Sequence, residues 1–477
     1  MTTKQKNILL LCAEAARHTG TVDLHIKSFK QYSEHNIVIL DSFVAGQLDV
    51  DVNMFDAIIF HYSIVISLPQ YIDENLAKKI TAFKGPKILF IQDEFRWVDR
   101  TSKAAEQLGI SVIFSVVNKD VTRKIYRDKY FDNVRFELTL TGFIPENLLK
   151  KAVPKYCDRQ IDIGYRARKL PAWCGSFALQ KWQIGEKMQQ VAKQHNLNCD
   201  IAMSEASRIY GDAWIDFMSN CKATLGTESG ASFVDYSGLV HQEIDKYEAA
   251  NPKASFKEVS DKFLEGRNND VIIHVISPRV FEAAALKVLM ILYPGTYSDV
   301  LTAGRHYIEL SPDFSNIDEV LAILNNEEKA NEIINNAYNE IACSPKWTHK
   351  NFIRHFDDVL GEELQKFATK KSSTSDNIEQ MISNKTTELE AERISEFETL
   401  ENAKTDEFNR LENANIVGAK KIQTRMKFVL FLQRIRVGTY QLIDQKLPRF
   451  ISVPLLSLAR MITTKIKPII KKILLKV

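Results

Sequence analysis

Through the first 145 residues, short apolar runs alternate with amphipathic stretches. The runs fall at 7–12, 36–40, 57–62, 87–92 and 111–117, each dominated by Ile, Leu, Val and Phe. A run this short and unbroken predicts a strand buried on both faces, and its alternation with helical stretches predicts a parallel sheet covered on both sides. The Gly and Pro of Thr141-Gly142-Phe143-Ile144-Pro145 then break the pattern and mark a linker. The alternation resumes with runs at 160–165, 198–202, 222–226, 287–293 and 306–310. The expected fold is therefore α/β, with two tandem doubly wound parallel-sheet (Rossmann-like) domains at 1–148 and 149–360. Their facing strand ends would form a cleft.

From residue 361 the character changes. Residues 373–416 hold eleven acids and four bases with no Pro and no Gly, and Leu389, Phe397, Leu400, Phe408 and Leu411 repeat every 11 residues. That period predicts a long, nearly straight helix over 361–416, either self-associating as a coiled stalk or solvated as a single helix. The last stretch, 417–477, carries fourteen Lys or Arg against the single acid Asp444. In a chain of net charge +3 it holds +13, so everything before it sums to −10. Ile462, Ile466, Ile469, Ile470, Ile473 and Leu474 are interleaved there with Lys465, Lys467, Lys471, Lys472 and Lys476. This is the pattern of a basic amphipathic helix lying on an anionic membrane surface, kinked at Pro468. Apolar runs such as 428–432 are far short of the ~20 residues that span a bilayer. Nucleic acid would attract the same cations, but the tail offers few aromatics for stacking on bases (Phe428, Phe431, Tyr440, Phe450) and an aliphatic face that a phosphate backbone would leave unused, so no nucleic-acid partner is expected.

Composition narrows the class further. At 477 residues and 45% hydrophobic content, two real cores can be built. The six cysteines include no C-x-x-C pair, which argues against a zinc knuckle or disulfide framework and fits the cytoplasm. The apolar stretch 8–13 is too short for the hydrophobic region of a signal peptide and is expected as the first strand. No Gly-x-Gly-x-x-Gly and no phosphate-loop Gly-Lys-Ser/Thr occurs, which removes the usual dinucleotide oxidoreductase and NTPase readings.

Candidate chemistry concentrates at strand ends. Ser277-Pro278-Arg279-Val280-Phe281-Glu282 predicts a helix start with Pro in the first position, placing Arg279 and Glu282 in the opening turns. A helix N-terminus and a forked guanidinium favour phosphate, and a carboxylate can accept from a vicinal diol, so the set suits a nucleotide sugar. An ordinary capped helix with a surface ion pair is the alternative. Leu225-Gly226-Thr227-Glu228-Ser229-Gly230 follows a strand, and so does the basic loop Arg166-Ala167-Arg168-Lys169. In the first half, Arg17, His18 and Gly20 follow the first strand as candidate acceptor contacts, His61 ends the third, and Asp93 and Glu94 end the fourth. His61, Asp93 and Glu94 are candidate catalytic groups, each with a structural hydrogen-bonding role as the alternative. Asp49-Val50-Asp51 matches the Asp-x-Asp of metal-dependent transferases but precedes a strand and is read as a surface acid pair, so no metal site is expected.

On these phrases, chiefly PRVFEAAA at 278–285, the chain resembles the GT-B glycosyltransferases, in particular the retaining nucleotide-sugar enzymes with two glutamates eight positions apart. It is also similar to the spore-maturation glycosyltransferase-like domain. The resemblance covers roughly residues 1–360 and implies GT-B architecture. It implies that Glu282 holds the donor ribose and that Arg166 or Arg168, with Lys169 or Lys181, neutralises the diphosphate leaving group. The family's first glutamate would fall at 274, where this chain has His274; Glu228, with Ser229 and Gly230, is the candidate replacement at the donor sugar. The implied activity is metal-independent hexosyl transfer, with no cofactor beyond the nucleotide-sugar donor; the basic tail adds the expectation of a lipid-linked or cell-surface polysaccharide acceptor, such as lipopolysaccharide, at the inner face of the cell membrane. A nucleotide-sugar epimerase of the same fold and a non-catalytic membrane-associated scaffold are the other readings.

Overall fold

The computed structural model describes residues 5–266 and 270–367, with 378, 380–388, 391 and 395 beyond them. The tail at 417–477, with its expected membrane face, lies outside the described residues, and so does most of the stalk with its expected self-association. Residues 380–388 are helical. No helix among the described residues is long and apolar enough to cross a membrane.

Six parallel strands form the first sheet: β1 (Asn7–Cys12), β2 (Asn36–Asp41), β3 (Ala57–Phe60), β4 (Lys87–Ile91), β5 (Val112–Ser115) and β6 (Arg135–Leu138), in the order β2-β1-β3-β4-β5-β6. Between them run α1 (Gly20–Tyr32), α2 (Ser42–Gln47), α3 (Glu74–Ala82), α4 (Val98–Leu108) and α5 (Lys119–Ile125). All six residues of β1 are buried, as an apolar run sandwiched between helix layers requires. Side-chain caps from Asp73 and Asn118 start α3 and α5, and Gly109 in the left-handed region ends α4. β6 gives no sequence signal because it is a charged edge strand: Arg135 pairs with Glu137 at 2.5 Å. Two short stretches, Ala13–His18 and Phe43–Val50, belong to a second unit.

The second lobe has a five-stranded parallel sheet of β7 (Ile161–Arg166), β8 (Cys199–Ala202), β9 (Cys221–Gly226), β12 (Leu289–Leu292) and β13 (Ile308–Glu309), ordered β13-β12-β9-β7-β8. A separate antiparallel pair joins β10 (Ser229–Ala231) to β11 (Ile273–Val275). Its helices are α6 (Ser176–Gln194), α7 (Gly211–Ser219), α8 (Leu239–Ala250), α9 (Phe256–Phe263), α10 (Pro278–Ala285), α11 (Ile317–Leu324) and α12 (Glu327–Ala337). One core layer joins Ile163, Ile184, Met188, Ile291, Val320 and Ile334; another joins Met218, Phe281, Ala284, Met290 and Tyr297.

The last described long helix, α13 (His349–Lys366), returns to the first lobe. Its apolar face of Phe352, Ile353, Phe356, Val359 and Leu360 packs with Phe29, Phe90 and Phe114, the Phe29 and Phe356 rings standing 5.1 Å apart. A boundary drawn at 360 on the sequence therefore cuts a helix whose apolar stripe finds its partner in the N-terminal layer. The linker runs beside this return: the Ile144 amide donates to the Trp347 carbonyl at 2.9 Å. At Gly142 a Cβ would stand 2.9 Å from Pro278 Cβ, so the linker passes directly against the start of α10.

A second seam joins the lobes through the polar insertion after β10. The Asp235 amide donates to the Phe95 carbonyl at 2.8 Å and the Asp99 amide to the Tyr236 carbonyl at 3.0 Å. Trp97 Nε1 donates to His241 Nε2 at 3.2 Å, and His241 Nδ1 lies 3.2 Å from the buried Asp235 carboxylate. Gly238 sits at φ +77 beneath the Trp97 ring, where a Cβ would come within 2.2 Å of the indole.

Candidate active site

In each sheet the strand order reverses once, between β1 and β3 and between β7 and β9. The crevice outside the carboxyl ends of strands at such a reversal is where open α/β sheets bind ligands. A cavity of about 820 Å³ opens there between the lobes. Thr19, Gly20 and Thr21 line it at the start of α1, residues 165–168 at the end of β7, Gly226 and Thr227 at the end of β9, and Arg279 and Glu282 from α10. Six lining side chains are cationic (Lys27, Arg166, Arg168, Lys181, Arg208, Arg279) and three are acidic (Asp23, Asp212, Glu282), so the walls favour an anion.

The cations are held differently. The Arg166 guanidinium turns to the sheet edge, donating to Asp200 Oδ2 and the Asp200 carbonyl at 2.8 Å each and covering the Phe217 ring at 4.2 Å. Its positive charge is therefore largely matched. Lys181, half-buried on α6, donates to Ser229 Oγ at 2.6 Å; burial and the nearby Arg279 and Arg168 push its pKa down to about 8. Arg168 is exposed at the cavity wall. Arg279 donates to the Arg166 carbonyl and lies over the Trp214 ring at 5.0 Å. Lys169 is not part of the lining; its ammonium stands 5.9 Å from the Trp182 ring centre.

Glu282 reaches the cavity from the first turns of α10, as Pro278 in the first helical position leads one to expect. Its Oε2 accepts from Trp214 Nε1 at 2.9 Å. Burial raises its pKa, while the Trp214 hydrogen bond and Arg279 pull it back. Glu228 is directed elsewhere. Its buried carboxylate accepts the Tyr297 amide at 2.6 Å and the Thr296 hydroxyl at 3.2 Å, and it lies 3.3 Å from His274 Nδ1. The hydrogen bond to Glu228 raises the His274 pKa. Glu228, Gly230 and His274 are not among the lining residues, whereas Ser229 is. Gly230, at φ +134, has no room for a Cβ, which would meet the Ile273 carbonyl oxygen at 1.8 Å. Pairing with β11 fixes Ser229 and Gly230, and of the segment 226–230 Gly226, Thr227 and Ser229 line the cavity.

In the first lobe two of the three candidate catalytic groups lie inside the fold. His61 is fully buried, its Nε2 3.0 Å from His25 Nδ1 and its Nδ1 accepting from the Ser63 amide at 3.0 Å. Glu94 is 2% exposed; it accepts from both the Ser115 hydroxyl, at 2.8 Å, and the Tyr126 hydroxyl, at 3.0 Å, and burial pushes its pKa up to about 8. Asp93 is exposed and paired with Arg96 at 3.3 Å. None of the three lines the large cavity. Of the acceptor candidates, Gly20 lines it; Arg17 pairs with Glu14 at 2.8 Å and His18 Nδ1 lies 2.8 Å from the Ala15 carbonyl. Asp51 caps a short helical turn through the Asn53 amide at 3.0 Å. Asp23 and Lys27, paired at 2.5 Å on α1, line the cavity and escaped the sequence reading, although an acid and a base four residues apart in the helix after the first strand are a legible signal. Trp214 escaped it too, and a lone Trp in a helix offers no such signal.

Two doubly wound sheets facing each other across a cleft make up the GT-B architecture. No family model and no curated protein matches the chain. Among solved structures it is similar to an α-glucosyltransferase in complex with UDP and a 13-mer DNA containing a HMU base, with a TM-score of 0.48 and 10% identity, covering 75% of this chain and 100% of that one. It is also similar to Anabaena HepE in complex with UDP and glucose (TM-score 0.45, 9% identity, 75% of this chain and 100% of that one). A third likeness is to AviGT4, a glycosyltransferase involved in avilamycin A biosynthesis (TM-score 0.41, 10% identity, 77% and 100%). Scores of this size leave the chemistry of the site to this chain's own residues.

Proposed function

We propose that the chain is a glycosyltransferase that holds a nucleotide-sugar donor on the second lobe and an acceptor on the first. The observation that carries this reading is the meeting of Arg168, Lys181, Arg279 and Glu282 in one interlobe cavity at the two switch points. Arg168, Lys181 and Arg279 take the diphosphate, and Glu282 accepts from the ribose hydroxyls. When the glycosidic bond to the diphosphate breaks, negative charge grows on the leaving oxygen. Fixed cations in a partly desolvated cleft stabilise that charge, so the reading needs neither a divalent metal nor a cofactor. Lys181, with its pKa near 8, is still protonated at neutral pH and supplies one of those charges. The donor sugar is a hexose in this reading, and the acceptor is lipid-linked or a surface polysaccharide. The basic tail supports that choice, because a peripheral anchor would place the cavity beside a membrane-borne acceptor at the inner face of the membrane.

The test is calorimetric titration with the ribonucleoside diphosphates. Wild-type protein should bind at least one of them, and Lys181→Met should bind it roughly 10- to 100-fold more weakly, the cost of one hydrogen bond to a charged group in a desolvated site. Absence of binding by the wild type, or unchanged affinity in folded Lys181→Met, would overturn the reading.

A further inference from the structure

Glu282 and Arg279 face the cavity from α10, but what fixes their orientation lies on another helix. Trp214, half-buried on α7, lines the same cavity. Its indole N–H donates to Glu282 Oε2 at 2.9 Å, and its ring face lies 5.0 Å from the Arg279 guanidinium. The arrangement continues sideways, with the Phe217 ring 5.7 Å from Trp214 and the Arg166 guanidinium 4.2 Å over Phe217. Arg279 closes it by donating to the Arg166 carbonyl. One side chain therefore touches both the carboxylate and the guanidinium that the donor site offers from α10.

An indole nitrogen only donates. With Oε2 engaged, Glu282 keeps the full acceptor capacity of Oε1 for a ligand hydroxyl. The same hydrogen bond favours the ionised carboxylate, which accepts, against burial, which favours the neutral acid, whose hydroxyl would donate. We infer that Trp214 is a positioning residue that sets how strongly the site prefers a ribonucleotide over its 2′-deoxy counterpart, by holding Glu282 as an aimed hydrogen-bond acceptor. The inference rests on the donor reading above and adds a residue through which sugar discrimination within the nucleotide is controlled. Because Trp214 acts on Glu282 by its N–H and on Arg279 by its ring, its two functions separate by substitution. Trp214→Phe keeps an aromatic face under Arg279 and loses the donor. Trp214→Leu loses both.

Affinities for the four ribonucleoside diphosphates and their 2′-deoxy forms, measured on folded wild type and variants, test this. Wild type should favour the ribo form by roughly 10-fold or more, the discrimination expected when a buried polar group loses its hydroxyl partner. Trp214→Phe should bring that ratio to about 3 or below with 2′-deoxy affinity held, and Trp214→Leu should weaken both forms. Glu282→Gln should collapse the ratio with Trp214 in place, and adding Trp214→Phe to it should change the ratio no further. A merely structural role for Trp214 would weaken both nucleotides alike. A full ratio in Trp214→Phe, or an additive loss in the double variant, would overturn the inference, as would a wild type that binds both forms equally. A wild type that binds no diphosphate at all fails the donor reading instead.

Discussion

The two lobes use polar residues at strand ends in opposite ways. In the first, His61 and Glu94 follow β3 and β4, yet each is enclosed by the fold: His61 by His25 and Ser63, Glu94 by Ser115 and Tyr126. In the second, Arg168, Arg279 and Glu282 stand at a cavity wall. Both sets occupy the position where α/β sheets bind ligands. What separates them is saturation: a group whose hydrogen-bonding capacity is met by its own chain builds the fold, and one whose remaining capacity faces a cavity is available to a ligand.

The contrast breaks most visibly at Glu94. Glu94→Ala removes the acceptor of the buried Tyr126 hydroxyl, leaves Ser115 only the Val117 carbonyl at 3.3 Å and opens a small void, so it should cost about 3 kcal/mol of unfolding free energy in urea titration. Nucleotide affinity of the folded fraction should be unchanged. A variant of full stability that has lost turnover would make Glu94 a catalytic acid and erase the difference between the lobes.

A smaller effect lies in pH. Folded Glu94 keeps its proton up to about 8, whereas the unfolded carboxyl releases it near its ordinary 4.5. Its contribution is therefore fully present at acid pH below the unfolded value and is lost as pH rises through 8. His25 and His349 slope the other way. Both are held neutral by burial, with the His349 pKa down at about 4, so the unfolded chain takes up protons first and stability falls as pH drops below their ordinary 6.5. Glu94→Gln should leave the acid side unchanged and remove the alkaline loss, on the order of 2 kcal/mol between about pH 6 and about pH 8 at no more than about 1.4 kcal/mol per unit. Parallel pH profiles for the two proteins would show that burial does not raise the Glu94 pKa above its unfolded value.

The smallest expected effect is at Asp93. Its pair with Arg96 is exposed, so Asp93→Asn should move stability by less than ~0.5 kcal/mol and leave nucleotide affinity where it was. A tenfold loss of turnover in that variant would make Asp93 a group that faces the acceptor, and would place one catalytic residue on the first lobe after all.

Local patterning was enough to define the two parallel sheets and the helix opening at Ser277-Pro278, because burial on both faces of a strand demands a continuous apolar run and helix starts depend on adjacent residues. β6 and the β10 to β11 pair were illegible for the same reason: a charged edge strand and three-residue strands carry no such run. α13 announced its apolar stripe but not its address, which only the aromatic cluster of the first lobe supplies. The site divides along this line. Its residue types and their place after strands were written in the chain. That Arg166 pairs with Asp200, that His61 meets His25 and that Trp214 reaches Glu282 across 68 positions follow from strand order and packing. A side chain's partner is a long-range property: periodicity and capping are set within a few residues of chain, whereas hydrogen-bond saturation depends on every element that packs around the group.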